Sequence, residues 1–319
     1  MTPLETLLRE RIARSGPIPF REFMEAALYH PEYGYYRKAR DPFGKAGDFY
    51  TAEQLQPVFG ILIAARIREM FREMGSPPDF AVVELGAGRG EMAEALGEWR
   101  YFPIETGGNL PRNVRGVIFS NEFFDALPVD AATVIDGTPR QLLVGVEGGR
   151  LAWVTGDRVT AAVEEYWRKF CPQAGMFEAN LAALEWMDRI ADALQSGFHF
   201  TIDYGYVTSE HIRFPQGTLM SYRRHRASED VLADPGERDI TSHVPFSALE
   251  ERGGLRGLEK MARETLAQTL LHAGESDQFA AALAGATPEE DRARRLQLKS
   301  LLFGMGETFR TLIQRKAGK

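Results

Sequence analysis

The sequence feature that most constrains the fold is a short apolar run, residues 80–85, that ends at closely spaced glycines. Gly86, Gly88 and Gly90 fall at alternate positions, and a predicted helix over 91–98 follows them. Glycine allows the positive φ of a tight turn and lets a ligand approach the backbone, while a helix N-terminus offers unpaired N–H groups. A strand, a glycine loop and a helix in this order predict the nucleotide-type ligand site of an α/β sheet.

The residues around the glycines narrow the choice of ligand. In dinucleotide-binding loops the pattern is Gly-x-Gly-x-x-Gly, and here Glu91 takes the third glycine position, where its carboxylate would repel a pyrophosphate. S-adenosylmethionine carries no phosphate, and Glu84 at the strand end could pair with its ammonium group. Glu105 follows about 20 residues later and is the candidate for the ribose hydroxyls. An NAD or FAD site, or a structural turn without a cofactor, remain alternatives on these residues alone.

Polar residues follow a second predicted strand, residues 116–120, at the end where parallel strands face a ligand crevice. Asn121, Glu122 and Asp125 are therefore candidates for the floor of the site. The alternative is that Glu122 and Asp125 cap a short helix and fill its first turn. The residue types alone leave both interpretations open.

Two more polar residues stand at the ends of predicted elements. Asp203 ends a strand-like run over 198–203, and His243 begins a predicted helix over 243–252. A single histidine at a helix start is more often structural than catalytic, so the roles of both residues stay open. The six histidines show no metal-ligand spacing, and we expect no metal site.

Strands that alternate with helices predict an α/β fold with a mostly parallel sheet. Apolar residues at helical spacing predict helices over 3–14, 20–28, 53–74, 158–169 and 179–195, and helical pieces between 263 and 319. Strand-like runs lie at 101–105, 116–120, 131–136, 141–146, 151–154, 198–203 and 217–222. We expect one domain over 1–319, with a helical N-terminal part over 1–75, a core formed by 76–140 and 196–319, and an inserted hairpin and helices over 141–195.

Composition excludes several classes of protein. A net charge of −7 and a pI of about 5.6 argue against a broad nucleic-acid footprint. Cys171 is the single cysteine, so we expect a buried small hydrophobe in a reducing compartment. No run approaches the ~20 apolar residues of a membrane span, and the N-terminus lacks a secretory signal. We expect a cytoplasmic protein without nucleic-acid or membrane partners, and the sequence leaves the oligomeric state open.

Nine short motifs, in the same order along nearly the whole chain, resemble the MidA family of S-adenosylmethionine-dependent methyltransferases. That family includes a mitochondrial complex I assembly factor that methylates an arginine of a complex I subunit. The motifs are Gly16-Pro17-Ile18 with Met24, Pro31-Glu32-Tyr33-Gly34-Tyr35-Tyr36, Gly47-Asp48-Phe49-Tyr50-Thr51, Glu84 to Gly90, Asn121-Glu122-Phe123-Phe124-Asp125-Ala126-Leu127-Pro128-Val129, Ile202-Asp203-Tyr204-Gly205-Tyr206, Gly217-Thr218-Leu219, Asp239 to Val244, and Gly304-Met305-Gly306-Glu307.

The resemblance implies a Rossmann-like class I methyltransferase core with helical N-terminal and inserted accessory segments. It implies a loop that folds over the cofactor and an Asn-Glu motif, Asn121 to Pro128, near the transferred methyl group. The cofactor contacts that it implies or that the loop suggests are Glu84, Gly86, Ala87, Gly88, Gly90 and Glu105, with Asp48 and Thr51 from the covering loop.

The chain departs from this family at one place. A helix and a third strand normally follow the second strand, but residues 106–115 are too few to form both. We therefore expect the adenine side of the pocket to be open or rebuilt.

The favoured function is protein-arginine N-methylation, with Glu122 and Asp125 orienting the guanidinium group. One alternative is a non-catalytic assembly or binding protein on a methyltransferase scaffold with weakened cofactor binding, which the shortened segment motivates. A third hypothesis, an NAD-dependent oxidoreductase, is disfavoured by Glu91.

Overall fold

The computed structural model describes residues 1–38 and 52–318. The chain forms two compact units, which are described separately. The first unit comprises Met1–Tyr50, Phe124–Leu184 and Tyr206–Ser247, and the second comprises Thr51–Phe123, Glu185–Gly205 and Ala248–Lys319. The single-domain division expected from the sequence stays a prediction. None of the helices that the structure describes is long and apolar enough to cross a membrane.

Secondary structure is numbered along the chain. The α-helices are α1 Pro3–Ser15, α2 Phe20–Tyr29, α3 Val58–Glu73, α4 Ala93–Leu96, α5 Ala161–Phe170, α6 Leu181–Ala193, α7 Phe246–Leu255, α8 Leu266–Glu275, α9 Ala280–Leu283 and α10 Pro288–Lys299. Short 3-10 turns lie at Tyr35–Arg37, Ala52–Gln54 and Thr208–Arg213, and a π-helical turn lies at Ser300–Met305. The strands are β1 Ile18–Pro19, β2 Ala81–Leu85, β3 Arg100–Ile104, β4 Val114–Asn121, β5 Asp130–Ile135, β6 Thr138–Glu147, β7 Arg150–Arg158, β8 Met176–Ala179, β9 Leu194–Tyr206, β10 Met220–Arg223, β11 Arg226–Ser228, β12 Asp239–Thr241, β13 Val244–Pro245, β14 Glu259–Thr265 and β15 Phe309–Lys316.

The second unit is built on a sheet with the strand order β14-β15-β9-β4-β2-β3. Strand β2 pairs in parallel with β3 and β4, and β4 pairs in parallel with β9. Strand β15 runs antiparallel to both β9 and β14. The parallel strands with flanking helices confirm the Rossmann-like α/β fold. Because β2, β3 and β4 are parallel, their carboxyl ends lie at one edge of the sheet, and this edge positions the candidate site.

Apolar residues pack the helices onto this sheet. Phe59, Leu62 and Ile63 of α3 are buried in one cluster with Val82 of β2 and Val117 of β4. These are the residues whose spacing predicts a helix, so the predicted apolar face is the face that the structure buries. The helix begins at Val58 rather than at residue 53. Pro57 directly precedes it, at a position that proline favours because its ring is tolerated only at the start of a helix.

Two expectations for the second unit need correction. The helix predicted over 91–98 is reduced to one turn, α4. The C-terminal segment, read as helical pieces between 263 and 319, includes the strands β14 and β15 in addition to helices. Most residues of β15 are buried on both faces, so the strand lacks the alternation of apolar and polar residues by which a half-exposed strand is recognised.

The first unit contains an antiparallel sheet, β1-β6-β5-β8, in which β7 also pairs with β6. The hairpin expected around Gly148-Gly149 is present as β6 and β7. Both glycines have a positive φ, +56° and +77°, which a tight hairpin turn requires. Helices α1 and α2 bury Leu8 and Phe23 in a cluster with Val144 of β6, and β10, β11 and β12 form a small separate sheet.

Close approach of the central strands leaves no room for a side chain at Gly197. Its φ is +124°, and a Cβ atom there would lie 1.9 Å from the carbonyl oxygen of Gly116 on the neighbouring strand. We expect Gly197→Ala to lower the free energy of unfolding by roughly 2–3 kcal/mol, because overpacking and an unfavourable φ add. Urea denaturation measures this change. Gly107→Ala, at a site with no atom within 4 Å of the added Cβ, is the control and should change stability little. Equal losses in the two variants would contradict the packing described here.

Candidate functional site

The loop after β2 has the backbone that its glycines predict. Gly86, Gly88 and Gly90 have φ values of +70°, +53° and +75°, in the region that other residues rarely adopt. Gly86 N–H donates to the carbonyl of Ile104 at 2.7 Å, and this bond ties the loop to the end of β3. A Cβ atom at Gly86 would lie 2.9 Å from the Phe123 ring. The loop is therefore shaped by glycine at positions where a side chain would either strain or clash.

Glu105, the predicted ribose ligand, stands directly after β3 and contacts the glycine loop. Its Oε1 accepts a hydrogen bond from Gly88 N–H at 2.9 Å, and its side chain is exposed. The structure thus brings together the loop and the acid that the sequence assigns to one site.

The shortened segment between β3 and β4 contains neither helix nor strand over residues 105–113, as expected. Its conformation is nevertheless fixed. Gly108 N–H donates to the Glu105 carbonyl at 2.7 Å, and Gly108 O accepts from Arg189 Nη2 at 2.6 Å. The Arg189 guanidinium also lies 3.6 Å from the centroid of the Trp186 ring, which meets Phe123 edge to face. Arg189, which is itself held by packing on an aromatic ring, therefore stabilises the segment that lacks a helix and a strand.

Two buried carboxyl groups lie beneath the loop. Glu84 is 1% exposed and Glu53, in the turn before α3, is 7% exposed. Tyr101 on β3 donates a hydrogen bond to Oε2 of Glu84. Oε1 of Glu53 and Oε1 of Glu84 are both buried, and neither accepts a hydrogen bond from a residue that the structure describes. Both groups thus keep acceptor capacity for a cation or a proton.

Burial is the main cause of the altered titration of this pair. It raises the pKa of Glu84 to about 7, although hydrogen bonds from Tyr101 and Glu53 favour its charged form. Burial, and then the negative charge of Glu84, raise the pKa of Glu53 well above its usual range. Because a hydrogen bond joins the two carboxyls, they titrate together, and the pair shares a proton.

Asn121 is the last residue of β4, and Glu122 follows it at the same edge of the sheet. Glu122 has a φ of +49°, unusual for a residue other than glycine, and its N–H donates to the Ile202 carbonyl at 3.0 Å. Its Oε1 accepts from Ala52 N–H at 3.1 Å and from Asn121 Nδ2 at 3.2 Å. Glu122 is therefore fixed at the strand end by partners on both sides, whereas the capping alternative would place it in a helix that the structure does not form there.

Asp125 belongs to the first unit. It is 4% exposed, and its carbonyl accepts a hydrogen bond from Ser242 N–H at 3.0 Å. In the same unit, Tyr36 donates to Oδ1 of the buried Asp239 at 2.8 Å. Burial, then the charges of Asp239, Tyr29 and Asp125, raise the pKa of Tyr36 well above its usual value. Asp125 therefore stands in a buried acidic neighbourhood with Asp239 and two tyrosines.

The residues with open roles have structural partners. Asp203 is fully buried in β9, and its Oδ1 accepts from Tyr204 N–H at 2.9 Å. His243 packs edge to face on Phe214, and burial lowers its pKa to about 4, so the ring is neutral at pH 7. The backbone N–H of His243 donates a hydrogen bond to Thr218 Oγ1 at 3.0 Å. These contacts favour structural roles for both residues.

The sequence reasoning missed Glu53 and Arg189. The apolar spacing predicts a helix that begins at residue 53, whereas Pro57 is a signal that the helix begins later. Arg189 lies on α6, where its charge carries no signal for a contact with a segment 81 residues away. The predicted contacts Asp48 and Thr51 lie outside the described residues, and their roles stay predictions.

The described residues fit a cofactor that carries a cation and no phosphate. The loop lets a ligand approach the backbone, Glu105 lies at the position for ribose hydroxyls, and Oε1 of Glu84 is buried with unused acceptor capacity. A Rossmann-like sheet with these features defines a protein of the S-adenosylmethionine-dependent methyltransferase class. Residues 96–262, more than half of the chain, match the family described as "Putative S-adenosyl-L-methionine-dependent methyltransferase", and the chain belongs to this family.

Known relatives agree with this assignment. The chain is 25% identical over 311 residues to the protein arginine methyltransferase NDUFAF7 homolog, mitochondrial, of Drosophila melanogaster, covering 78% of this chain and 70% of the relative. It is 26% identical over 316 residues to the human protein arginine methyltransferase NDUFAF7, mitochondrial, covering 78% of this chain and 68% of the relative.

A solved structure from Burkholderia thailandensis, a COG1565 superfamily member bound to S-adenosyl-homocysteine, is similar over 98% of this chain and 92% of its own. Its TM-score is 0.85 at 27% sequence identity. A second crystal structure of a COG1565 superfamily protein from the same organism has a TM-score of 0.83 at 29% identity, covering 98% of this chain and 91% of its own. The methyltransferase class and the cofactor expected from the sequence are confirmed, and the dinucleotide alternative is set aside.

Replacing Glu84 tests the buried carboxyl pair. Because the folded pKa of Glu84 is raised to about 7, the folded state binds more protons than the unfolded state above pH 4.5, and stability falls as pH rises toward 7. Glu84→Gln removes this loss. We therefore expect the free energy of unfolding of the variant, relative to that of the wild type, to increase by about 2 kcal/mol from pH 5 to pH 8. Chemical denaturation at several pH values measures the difference. Glu91→Gln, which removes a less buried carboxylate of the loop, should show no such trend, and a pH-independent difference for Glu84→Gln would contradict the pKa assignment.

Proposed function

We propose that the protein transfers a methyl group from S-adenosylmethionine to an arginine side chain of a protein substrate. The observation that carries the proposal is Glu122, a carboxylate fixed at the end of β4, at the same sheet edge as the glycine loop. The names of the relatives, protein arginine methyltransferases, support the same acceptor. A cytoplasmic location is part of the proposal. So is a protein rather than a nucleic acid as substrate, which agrees with the net charge of −7.

The chemistry needs a group that can hold a guanidinium. This group stays protonated in water and is a poor nucleophile, while a carboxylate can bind it through two parallel hydrogen bonds and localise its charge. We assign this orienting role to Glu122, and to Asn121 the role of holding the Glu122 carboxylate. When bound, the cofactor supplies an electrophilic methyl group on a sulfonium. The protein must align the accepting nitrogen with that methyl and keep water out.

We assign the cofactor contacts to the edge formed by β2 and β3. The backbone of Gly86, Ala87, Gly88 and Gly90 would approach the cofactor closely, and Glu84 would accept a hydrogen bond from its ammonium group. Glu105 would bind the ribose hydroxyls, in a position that its contact with Gly88 already fixes. The cofactor contacts predicted for Asp48 and Thr51, which lie outside the described residues, stay part of the proposal.

Methyl transfer can be measured directly. The protein is incubated with a cell lysate and S-adenosylmethionine labelled in its methyl group, and labelled protein is hydrolysed to amino acids. We expect label in methylarginine, and a roughly 100-fold lower rate for Glu122→Gln, which keeps the shape but loses the charge. Glu147→Gln, at an exposed position on β6, is the matched control and should react like the wild type. Label in another residue type would contradict the arginine proposal, and no labelled product would count against transferase activity.

The shortened segment, residues 106–115, motivates a second hypothesis. On this hypothesis the chain is a non-catalytic assembly protein that binds the cofactor weakly. Calorimetric titration with S-adenosylmethionine separates the two. We expect micromolar binding that Gly88→Val abolishes, because φ at this position is +53° and valine is strained there. Glu147→Gln again serves as the control. Absence of binding to the wild type would favour the non-catalytic hypothesis.

A further inference from the structure

Glu53 has no role in the function proposed above, yet it is more than nine-tenths buried beside the glycine loop. It comes from the turn just before α3, not from a strand end, and contacts Glu84 of β2. Among the described residues, no lysine or arginine is a charged neighbour of either glutamate. Burying two adjacent carboxylates without a counter-charge is unfavourable, so the pair requires a proton or another cation between its members.

The surroundings of the pair strengthen this requirement. Tyr101 donates its hydroxyl hydrogen to Glu84, and it is a neutral donor that leaves the charge in place. Among the described residues, the carboxylates of Glu91, Glu105 and Glu122 also act on the pair. Arg89 pairs with Glu91 at 2.6 Å and so partly neutralises one of them. The local potential is therefore negative and favours a cation at the pair.

We propose that Glu53 and Glu84 together form a two-carboxyl acceptor that holds one shared proton in the cofactor-free protein and exchanges it for the ammonium group of the cofactor. The proposal rests on the cofactor assignment and adds Glu53 and the proton exchange to it. Before binding, the pair carries one negative charge and one proton that the two carboxyls share. On binding, the proton leaves to solvent, both carboxylates accept hydrogen bonds from the ammonium, and no covalent bond to carbon or sulfur changes. Binding and proton release are then linked.

The linkage is measured by calorimetric titration of the protein with S-adenosylhomocysteine at about pH 7.5, where Glu84 is mostly ionised, the pair holds about one proton, and the ammonium group of the ligand stays charged. Titrations in buffers of different ionisation enthalpy give the number of protons released. We expect about one proton per molecule bound. 5′-Methylthioadenosine, which has the adenosine but no amino acid part, should bind without releasing a proton.

Two variants locate the source of the proton. Glu53→Gln should abolish the release and weaken S-adenosylhomocysteine binding roughly 10- to 100-fold, as the loss of a charge-assisted hydrogen bond does. It should leave the affinity for 5′-methylthioadenosine almost unchanged, which also shows that the variant is folded. Glu91→Gln, which removes a carboxylate of the same field outside the pair, should keep the proton release of the wild type.

The outcomes distinguish the proton exchange from the cofactor assignment on which it rests. If S-adenosylhomocysteine binds the wild type without proton release, or if Glu53→Gln keeps the release, the proton exchange is wrong and the cofactor assignment stands. If neither ligand binds, both the assignment and the exchange are wrong. Loss of the release in Glu53→Gln alone, with 5′-methylthioadenosine still bound, supports the proposal.

Discussion

The contact between two buried carboxyl groups, Glu53 and Glu84, is the constraint on which the site depends. It joins the turn before α3 to the end of β2, the strand that leads into the glycine loop. Two like charges cannot be buried side by side unless a proton or a ligand cation neutralises one of them. A sheet that held only a structural turn would gain nothing from such a pair, whereas a protein that binds a cationic cofactor gains a selective acceptor.

Much of the second unit could be predicted because local signals and the final structure agree. The glycines of the loop require positive φ, and the acid after β3 follows at the expected spacing, so Glu105 could be assigned before its contact with Gly88 was known. The role of Glu53 could not be predicted, because its partner Glu84 is 31 residues away and only the fold brings them together. Strand β15 was missed for a related reason, since burial on both faces removes its sequence periodicity.

The segment after β3 lacks the helix and strand that this type of fold normally has there, yet side-chain contacts hold it in place. Residues 105–113 are held by Arg189, whose guanidinium stacks on Trp186 and donates to the Gly108 carbonyl. The contact fixes the segment that carries Glu105, so the acid stays against the loop although β3 ends the sheet. This arrangement favours a site that still binds its cofactor over a scaffold that has lost it.

The most direct measurement is a crystal structure of the protein with S-adenosylhomocysteine bound. The account predicts the adenosine at Glu105 and the ammonium nitrogen within about 3.2 Å of carboxylate oxygens from both Glu53 and Glu84. An ammonium group that contacts Glu84 alone, with Glu53 still hydrogen-bonded to its neighbour, would contradict the two-carboxyl acceptor. A ligand bound away from the glycine loop would contradict the site itself.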